Sequence, residues 1–546
     1  MKKQTLLAFA KKYYEFVYKT SPVFATFLGI HKYDCLIGDM SRRAIERNIK
    51  SFRKFKRELG IKKQELRGTS VSNWTDYQLI EADIVANLLL LEKSKDWQKN
   101  PNIYVETPLI GIFLLVSRDS ITQTQRVKAV TSRLNLYPRM LEQGRTNVKN
   151  PPKVYVQIAL ETLDGAQHFV LTITEELQRL GPVPQKDLER LVSAVKFALT
   201  SLSSHKSYLT GLIKKGGGNF ALGRRLFEQK LRHENFLDYD ADQLLALGEK
   251  EFSRIEKKLG EVAQKLAPGK TWPQLVEEYR KFVPDPKNLL ELYDNEVTRL
   301  VKFLKEKDLV TLPKKETCIV EETPSFERPT VPYAAYMPPA VFEKIQKGVF
   351  WVTPINENLT SEVRKEQLRE HCLLSYMITT LHESYPGHHL QFCVANKSES
   401  FIRKHGQSSL LCEGWALYCE QLMAEVGYYH DPRIKVFMLK DELWRAARVI
   451  IDVSLHCFGM TIAEATKILV ERVKLAPNQA EAEVKRYTMS PTQPMSYLVG
   501  KLMILEMREQ AKKTWGSKFN LKRFHNSFLS CGTIPQPLIE RELFRQ

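Results

Sequence analysis

The stretch "TLHESYPGHHLQ" (380–391) sets three of the chain's 12 histidines, His382, His388 and His389, beside Glu383. Imidazoles and a carboxylate this close together suit metal-assisted hydrolysis. Neutral imidazoles bind a borderline cation such as Zn²⁺, and a neighbouring carboxylate takes a proton from water. The stretch begins like H-E-x-x-H, where two histidines one helical turn apart reach a Zn²⁺ at about 2.0–2.1 Å and the glutamate activates water. Pro386 stands where the second histidine of that pattern belongs. On a straight helix His388 would lie roughly 9 Å along the axis from His382, and His389 roughly 10.5 Å, too far to share a small cation. Proline removes the hydrogen bond to the His382 carbonyl, and Gly387 accepts backbone angles that other residues avoid. Two readings follow. Either Pro-Gly bends the chain so that a later histidine returns to the missing position, or it ends the helix and the histidines are polar loop residues.

A second segment, "LLCEGWALYCEQLMAEVGYY" (410–429), has a helical pattern and carries Glu413 and Glu420 seven residues apart, on nearly one face. A carboxylate from a second helix is the usual third ligand where the motif sits on a first. Two imidazoles and one carboxylate leave a fourth position open, which is the catalytic arrangement of zinc. Glu413 stands between Cys412 and Gly414-Trp415-Ala416-Leu417, where an unpaired carboxylate is costly. Its alternative is a surface glutamate of a basic protein.

The elements that position these residues read mostly as helix. "DADQLLALGEKEFSRIEKKLGEVAQKL" places Leu244, Phe252, Ile255, Leu259, Val262 and Leu266 on one apolar stripe, with Asp240 and Gln243 as a capping pair at its start. Similar patterns cover 157–181, 185–213, 286–306 and 361–382, the last running into the motif as one helix over 363–383. "NPPK" (150–153), "GGG" (216–218) and "APGKTWP" (267–273) break them. Strand patterns are confined to "TCIVEE" (317–322) and "GVFWVTPI" (348–355), on either side of the proline-rich "RPTVPYAAYMPP" (328–339). The expectation is a mostly α protein with a small β element just before the histidines.

The chain has 546 residues, 43% hydrophobic and 27% charged, ordinary for a globular protein with a sizeable core. Its net charge of +19 is spread along helical faces, and no nucleic-acid motif accompanies it. The eight cysteines are scattered with no C-x-x-C pair, which argues against a thiolate metal site and for reduced thiols. The start, "MKKQTLLAFAKKYYEFVYK", reads as an amphipathic helix, its apolar run too short for a signal peptide. No run of about 18 apolar residues is present to span a membrane. These features predict a cytoplasmic protein without nucleic-acid or membrane partners. No feature specifies an oligomeric state.

"HESYPGHHLQ" followed by "EGWALYCE" resembles the signature pair of the domain-of-unknown-function 885 family, H-E-x-x-P-G-H-H-x-Q and E-G-W-A-x-Y-x-E. The likeness extends to "SPVFATFLGIHKYD" (21–34), "RAARVIIDVSLHCFGMTIAEA" (445–465) and "RYTMSPTQPMSYLVGKLMILEMREQA" (486–511). That family is similar to the largely helical zincin metallopeptidases, such as carboxypeptidase Taq, thimet oligopeptidase and angiotensin-converting enzyme. The resemblance implies one family-length domain, 1–546, with a helical lobe over 1–310, a metal-binding catalytic lobe over 311–546 and a central cleft with one Zn²⁺ at its floor. It implies His382, Glu413 and one of the two following histidines as ligands, with Glu383 as general base. His388 is favoured because the first histidine after Pro-Gly needs the smaller displacement; His389 would then support the site or face substrate.

Hydrolysis by water attack builds an oxyanion, for which His456, Tyr487 and Tyr497 are candidate stabilisers. Arg486 and Arg448 are candidates for pairing with a substrate carboxylate. Arg448, Asp452 and His456, four apart, either face the cleft or form an i,i+4 ion-pair ladder. His456, between Leu455 and Cys457-Phe458, favours the cleft. Gln391 and Glu420 are candidates to orient the ligands. An edge strand from "GVFWVTPI" or "TCIVEE" would take an extended peptide by main-chain pairing, or the two would form a structural hairpin. The leading expectation is a zinc peptidase of short peptides. Its competitors are a zinc hydrolase of another amide or ester, and a non-catalytic binding protein on a peptidase scaffold.

Overall fold

In a computed structural model, amphipathic helices make up most of the chain and one small sheet stands just ahead of the histidines. The structure describes residues 2–65, 69–324, 327–328, 331, 333–357 and 359–544. Pro329, Thr330 and Pro332 of the proline-rich stretch lie outside the described residues. Contacts divide the chain into two compact units, 1–220 with 340–344, and 221–339 with 345–546. The boundary thus falls at 220 and not at 310. The reason is packing: the helix Ala241–Leu266 lies along Ile434–Cys457, and Leu289–Lys307 packs on Tyr376–Glu383.

In the first unit the long helices Lys153–Leu180 and Gln185–Leu212 pack on each other, the first also on Asn102–Ser117 and the second on Gln123–Asn147. Val156, Ala159, Leu163, Ala166, Val170, Ile173 and Leu177 are buried at alternating spacings of three and four, the signature of one apolar face. The start of the chain is helical over Lys2–Thr20. Among the described residues no helix is long and apolar enough to cross a membrane.

In the second unit Asp240 and Gln243 form the expected capping box, and Leu244, Phe252, Ile255 and Leu259 are buried beneath it. The sheet has three strands: β1 (Glu316–Glu322), β2 (Ala334–Met337) and β3 (Gln346–Val352), in the order β1-β3-β2. β1 runs parallel to β3, with Glu316 opposite Gln346. The two anticipated strands therefore do not form a hairpin. β2, which the proline-rich composition concealed, pairs antiparallel to β3 with Ala334 opposite Val352. β3 is central and almost wholly buried, as its unbroken apolar run requires, and has no edge to offer a peptide. β1 keeps an unpaired edge among the described strands.

The helix expected over 361–382 is two helices, Ser361–Glu370 and Tyr376–Glu383, separated by a turn in which the Ser375 and Tyr376 N–H groups donate to the Cys372 carbonyl. The segment 445–465 is likewise interrupted: one helix ends at Cys457 and the next begins at Ile462 after Gly459.

Candidate metal centre

The helix Tyr376–Glu383 stops within the motif, and a second, His388–Ala395, begins after four intervening residues. Between them the Gly387 N–H donates to the Leu381 carbonyl at 3.0 Å, so the chain loops back over its own last turn. A Cβ on residue 387 would lie 2.0 Å from the His382 carbonyl oxygen, so only glycine fits there. The Pro386 carbonyl, turned out of the helix, accepts the indole N–H of Trp415 at 2.7 Å. The bend brings the His388 ring to 4.8 Å from the His382 ring, nearly perpendicular at 89°. Pro-Gly therefore does not simply release the histidines into a loop.

Glu413 arrives from the helix Ser409–Glu425. Its Oε2 lies 3.8 Å from His382 Nε2 and 3.5 Å from His388 Nε2. These separations are long for hydrogen bonds, but near the edge of a tetrahedron with 2.0–2.1 Å arms, about 3.4 Å. On the far side of His382, Nδ1 meets the Glu420 carboxylate at 2.8 Å, which fixes the ring and turns the Nε2 lone pair toward Glu413 and His388. Gln493 Nε2 donates to Glu413 Oε1 at 3.4 Å. Among the described residues His388 Nδ1 is buried without a partner, so this imidazole is held only through its Nε2 side toward Glu413. Burial works against charge on His382, but the Glu413 and Glu420 carboxylates outweigh it and raise its pKa to about 9. Burial likewise opposes charge on Glu413, and the two imidazoles overcome it, holding the carboxyl well below the usual range. The two carboxylates that favour positive charge here would favour it equally on a metal ion, which must displace the proton from His382. Two imidazoles and one carboxylate with an open side suit a divalent ion such as Zn²⁺.

His389 points the other way. It is fully buried; its Nδ1 meets the Tyr336 hydroxyl at 2.8 Å and its Nε2 meets Glu316 of β1 at 2.5 Å, while Tyr385 donates to the same carboxylate. Gly348 in β3 makes the room, since a Cβ there would lie 2.6 Å from His389 Nδ1. Glu316, His389 and Cys393 are the second of two groups among the described residues with ligand-type atoms close together. The 2.5 Å contact is a hydrogen bond with no space for an ion between its atoms. This group fastens β1 to the motif helix.

One pocket contains His382 and Glu383 together with Glu420, Arg445, Arg448 and Tyr497. Tyr497 stacks on the His382 ring at 6.4 Å and 19°. It reaches this place because its helix, Ser496–Trp515, crosses Ser409–Glu425 glycine on glycine: a Cβ on Gly500 would lie 2.1 Å from the Leu410 carbonyl oxygen and 2.8 Å from Gly414 Cα.

Other candidates are committed elsewhere. His456 is buried, its Nδ1 facing the Leu222 N–H at 3.3 Å and its Nε2 the Tyr487 carbonyl at 3.0 Å, so neither nitrogen is left for an oxyanion. Tyr487 is buried with its hydroxyl donating to Glu483 at 2.6 Å and accepting from Arg448 and Trp444. Arg486 donates to Glu483 and Gln493, both at 2.9 Å, and does not line the pocket. Gln391 donates to Thr533 at 2.9 Å and has no part in orienting His382. Of the ion-pair ladder only the loose His456–Asp452 contact is present, at 3.9 Å: Asp452 accepts the Thr492 and Met495 N–H groups, and Arg448 turns to Tyr487 and Glu483. Trp415, Gln493 and Arg445 were not singled out from the sequence. All three lie within the quoted family stretches, but the partners of Trp415 and Gln493 are distant in the chain.

Two solved structures share this fold. A "putative lipoprotein of unknown function" from Shewanella oneidensis aligns over 98% of this chain and 99% of its own, at 23% identity and a TM-score of 0.80. A "putative lipoprotein" from Colwellia psychrerythraea covers 99% and 98%, at 20% identity and a TM-score of 0.82. No curated protein matches the sequence. The family described as bacterial protein of unknown function (DUF885) matches residues 22–543, and the chain belongs to it.

Proposed function

We propose that this chain is a metal-dependent hydrolase of the zincin kind, cleaving amide bonds of short peptides with one Zn²⁺ held by His382, His388 and Glu413. The observation that carries the reading is the convergence of His382 Nε2 and His388 Nε2 on Glu413 Oε2, at 3.8 and 3.5 Å, with His382 opening on a pocket that also holds Glu383 and Tyr497. When bound, such an ion polarises the scissile carbonyl and makes water acidic enough to attack at neutral pH. Glu383 takes the proton of the attacking water and returns it to the departing amine. Tyr497, whose ring lies over His382, donates its hydroxyl proton to the oxygen on which charge develops. Glu420 keeps His382 in the tautomer that presents Nε2. The unpaired edge of β1 suits an extended main chain, and the eight free thiols suit a reducing compartment such as the cytoplasm.

The test combines elemental analysis with peptide turnover. About one zinc per chain is expected in the wild type and in His389→Ala, and none in His388→Ala. Glu383→Gln keeps the metal and loses turnover by roughly 10²–10⁴-fold. Absence of metal after zinc addition, or unchanged turnover in Glu383→Gln, overturns the proposal.

A further inference from the structure

The pocket that holds Glu383 and His382 is lined by Arg280, Arg369 and Lys440 and by two arginines three residues apart on the helix Ile434–Cys457, Arg445 and Arg448. Arg448 is 5% exposed. Its Nε donates to Tyr487 at 2.9 Å and its Nη2 to Glu483 at 3.0 Å, but Nη1 is buried with no partner. Arg445 donates through Nη1 to the Asp441 carbonyl at 3.1 Å, and its Nε is also buried without a partner. Both guanidiniums lie against the rings of Trp444 and Tyr497, Arg448 at 4.3 and 4.5 Å.

Arg445 has a carboxylate of its own, Asp441 at 3.7 Å from Nη1, but Arg448 does not: Glu483 is shared by Arg448 and Arg486, at 3.0 and 2.9 Å, so one carboxylate answers two guanidiniums. Glu420, 4.0 Å from Arg445, is engaged with His382. Buried N–H groups of a cation without acceptors are expensive, and a ligand that supplies acceptors recovers that energy. A carboxylate does so, and brings the missing negative charge.

Resting on the hydrolase reading above, we infer that Arg448, assisted by Arg445, binds the free C-terminal carboxylate of the substrate, so that the last peptide bond lies at Glu383. The reach of the site suits a terminal residue. The Tyr497 ring stands 6.4 Å from the His382 ring and 4.5 Å from the Arg448 guanidinium carbon, so the two ends are at most about 11 Å apart, room for one residue of about 3.3–3.6 Å with a contact at each end.

The test is calorimetric binding to zinc-supplemented Glu383→Gln protein, which needs no turnover. The probes are N-acetyl-tetraalanine as free acid, its C-terminal amide, and the amide of N-acetyl-Ala-Ala-Ala-Glu. The free acid is expected to bind at least tenfold more tightly than its amide. Adding Arg448→Gln abolishes the preference; Arg445→Gln, less deeply built in, reduces it and serves if Arg448→Gln does not fold. Equal affinity for acid and amide, or no binding of either, overturns the inference. Tighter binding of the glutamyl amide than of the free acid assigns the subsite to a side-chain carboxylate and overturns the terminal assignment. A clear preference for the acid, in a protein whose wild type cleaves nothing, upholds the carboxylate site while the hydrolase reading fails.

Discussion

His388 and His389 have the same side chain and adjacent positions, yet their surroundings give them opposite chemistry. His388 has one buried nitrogen with no partner and the other facing Glu413, whereas both nitrogens of His389 are taken by Tyr336 and Glu316. His389→Phe would leave Glu316 with one buried donor fewer, a loss of about 1–3 kcal/mol, seen as a lower thermal midpoint with metal content unchanged. Glu420 offers a finer probe. Glu420→Gln keeps an acceptor for His382 Nδ1 but removes the charge that makes the imidazole basic. It should weaken zinc binding by roughly 10–100-fold in a competition titration against a chelating dye. An unchanged affinity would mean that Glu420 only fills space. At this scale the sequence is a partial guide: spacing drew attention to His382 and Glu383, and the family resemblance added Glu413 to them. It could not show that the His456 ring faces the Tyr487 carbonyl, since such a pairing is fixed by the packing of distant helices.

At the scale of elements, the periodic helices were legible because burial on one face leaves a regular trace. The runs read as 157–181, 185–213 and 286–306 correspond to Lys153–Leu180, Gln185–Leu212 and Leu289–Lys307. Two features left no such trace. β2 is four residues long in proline-rich surroundings, and the break at 371–375 interrupts a stretch whose composition is helical throughout. The crossing that delivers Tyr497 to the site depends on two glycines that look unremarkable in their own segments, Gly414 and Gly500. Gly500→Ala sets its Cβ against the backbone of the facing helix, which a rotamer change cannot relieve. The helices then separate. We expect a loss of about 1–3 kcal/mol in stability, with a further fall in turnover because Tyr497 moves off His382. Full activity in a stable Gly500→Ala protein would show that Tyr497 takes no part in the chemistry.

Across the whole molecule, acid stability is set by histidines buried in their neutral form. Burial lowers His205, His371, His405, His456 and His525 to about 4 each. In the unfolded chain they titrate near 6.5. Between pH 6.5 and 4 the unfolded state therefore binds protons that the folded state refuses, and stability falls as pH falls, by up to about 1.4 kcal/mol per pH unit for each group. Asp452 acts in the opposite sense: burial raises it to about 8, so its contribution is full at low pH and fades as pH rises from about 3.9 toward 8. One such group offsets one of the five. The net expectation is a thermal midpoint that declines steadily below pH 6.5, well before the ordinary carboxylate range. Four of the five histidines lie in the unit formed by 221–339 and 345–546, and only His205 lies in the unit formed by 1–220 and 340–344. Scanning calorimetry from pH 7 to 4.5 should therefore show the transition of the metal-site unit moving further than that of the helical unit. A midpoint level down to pH 5 would mean that these imidazoles gain protons in the folded protein, and that their burial is relieved by acid without unfolding.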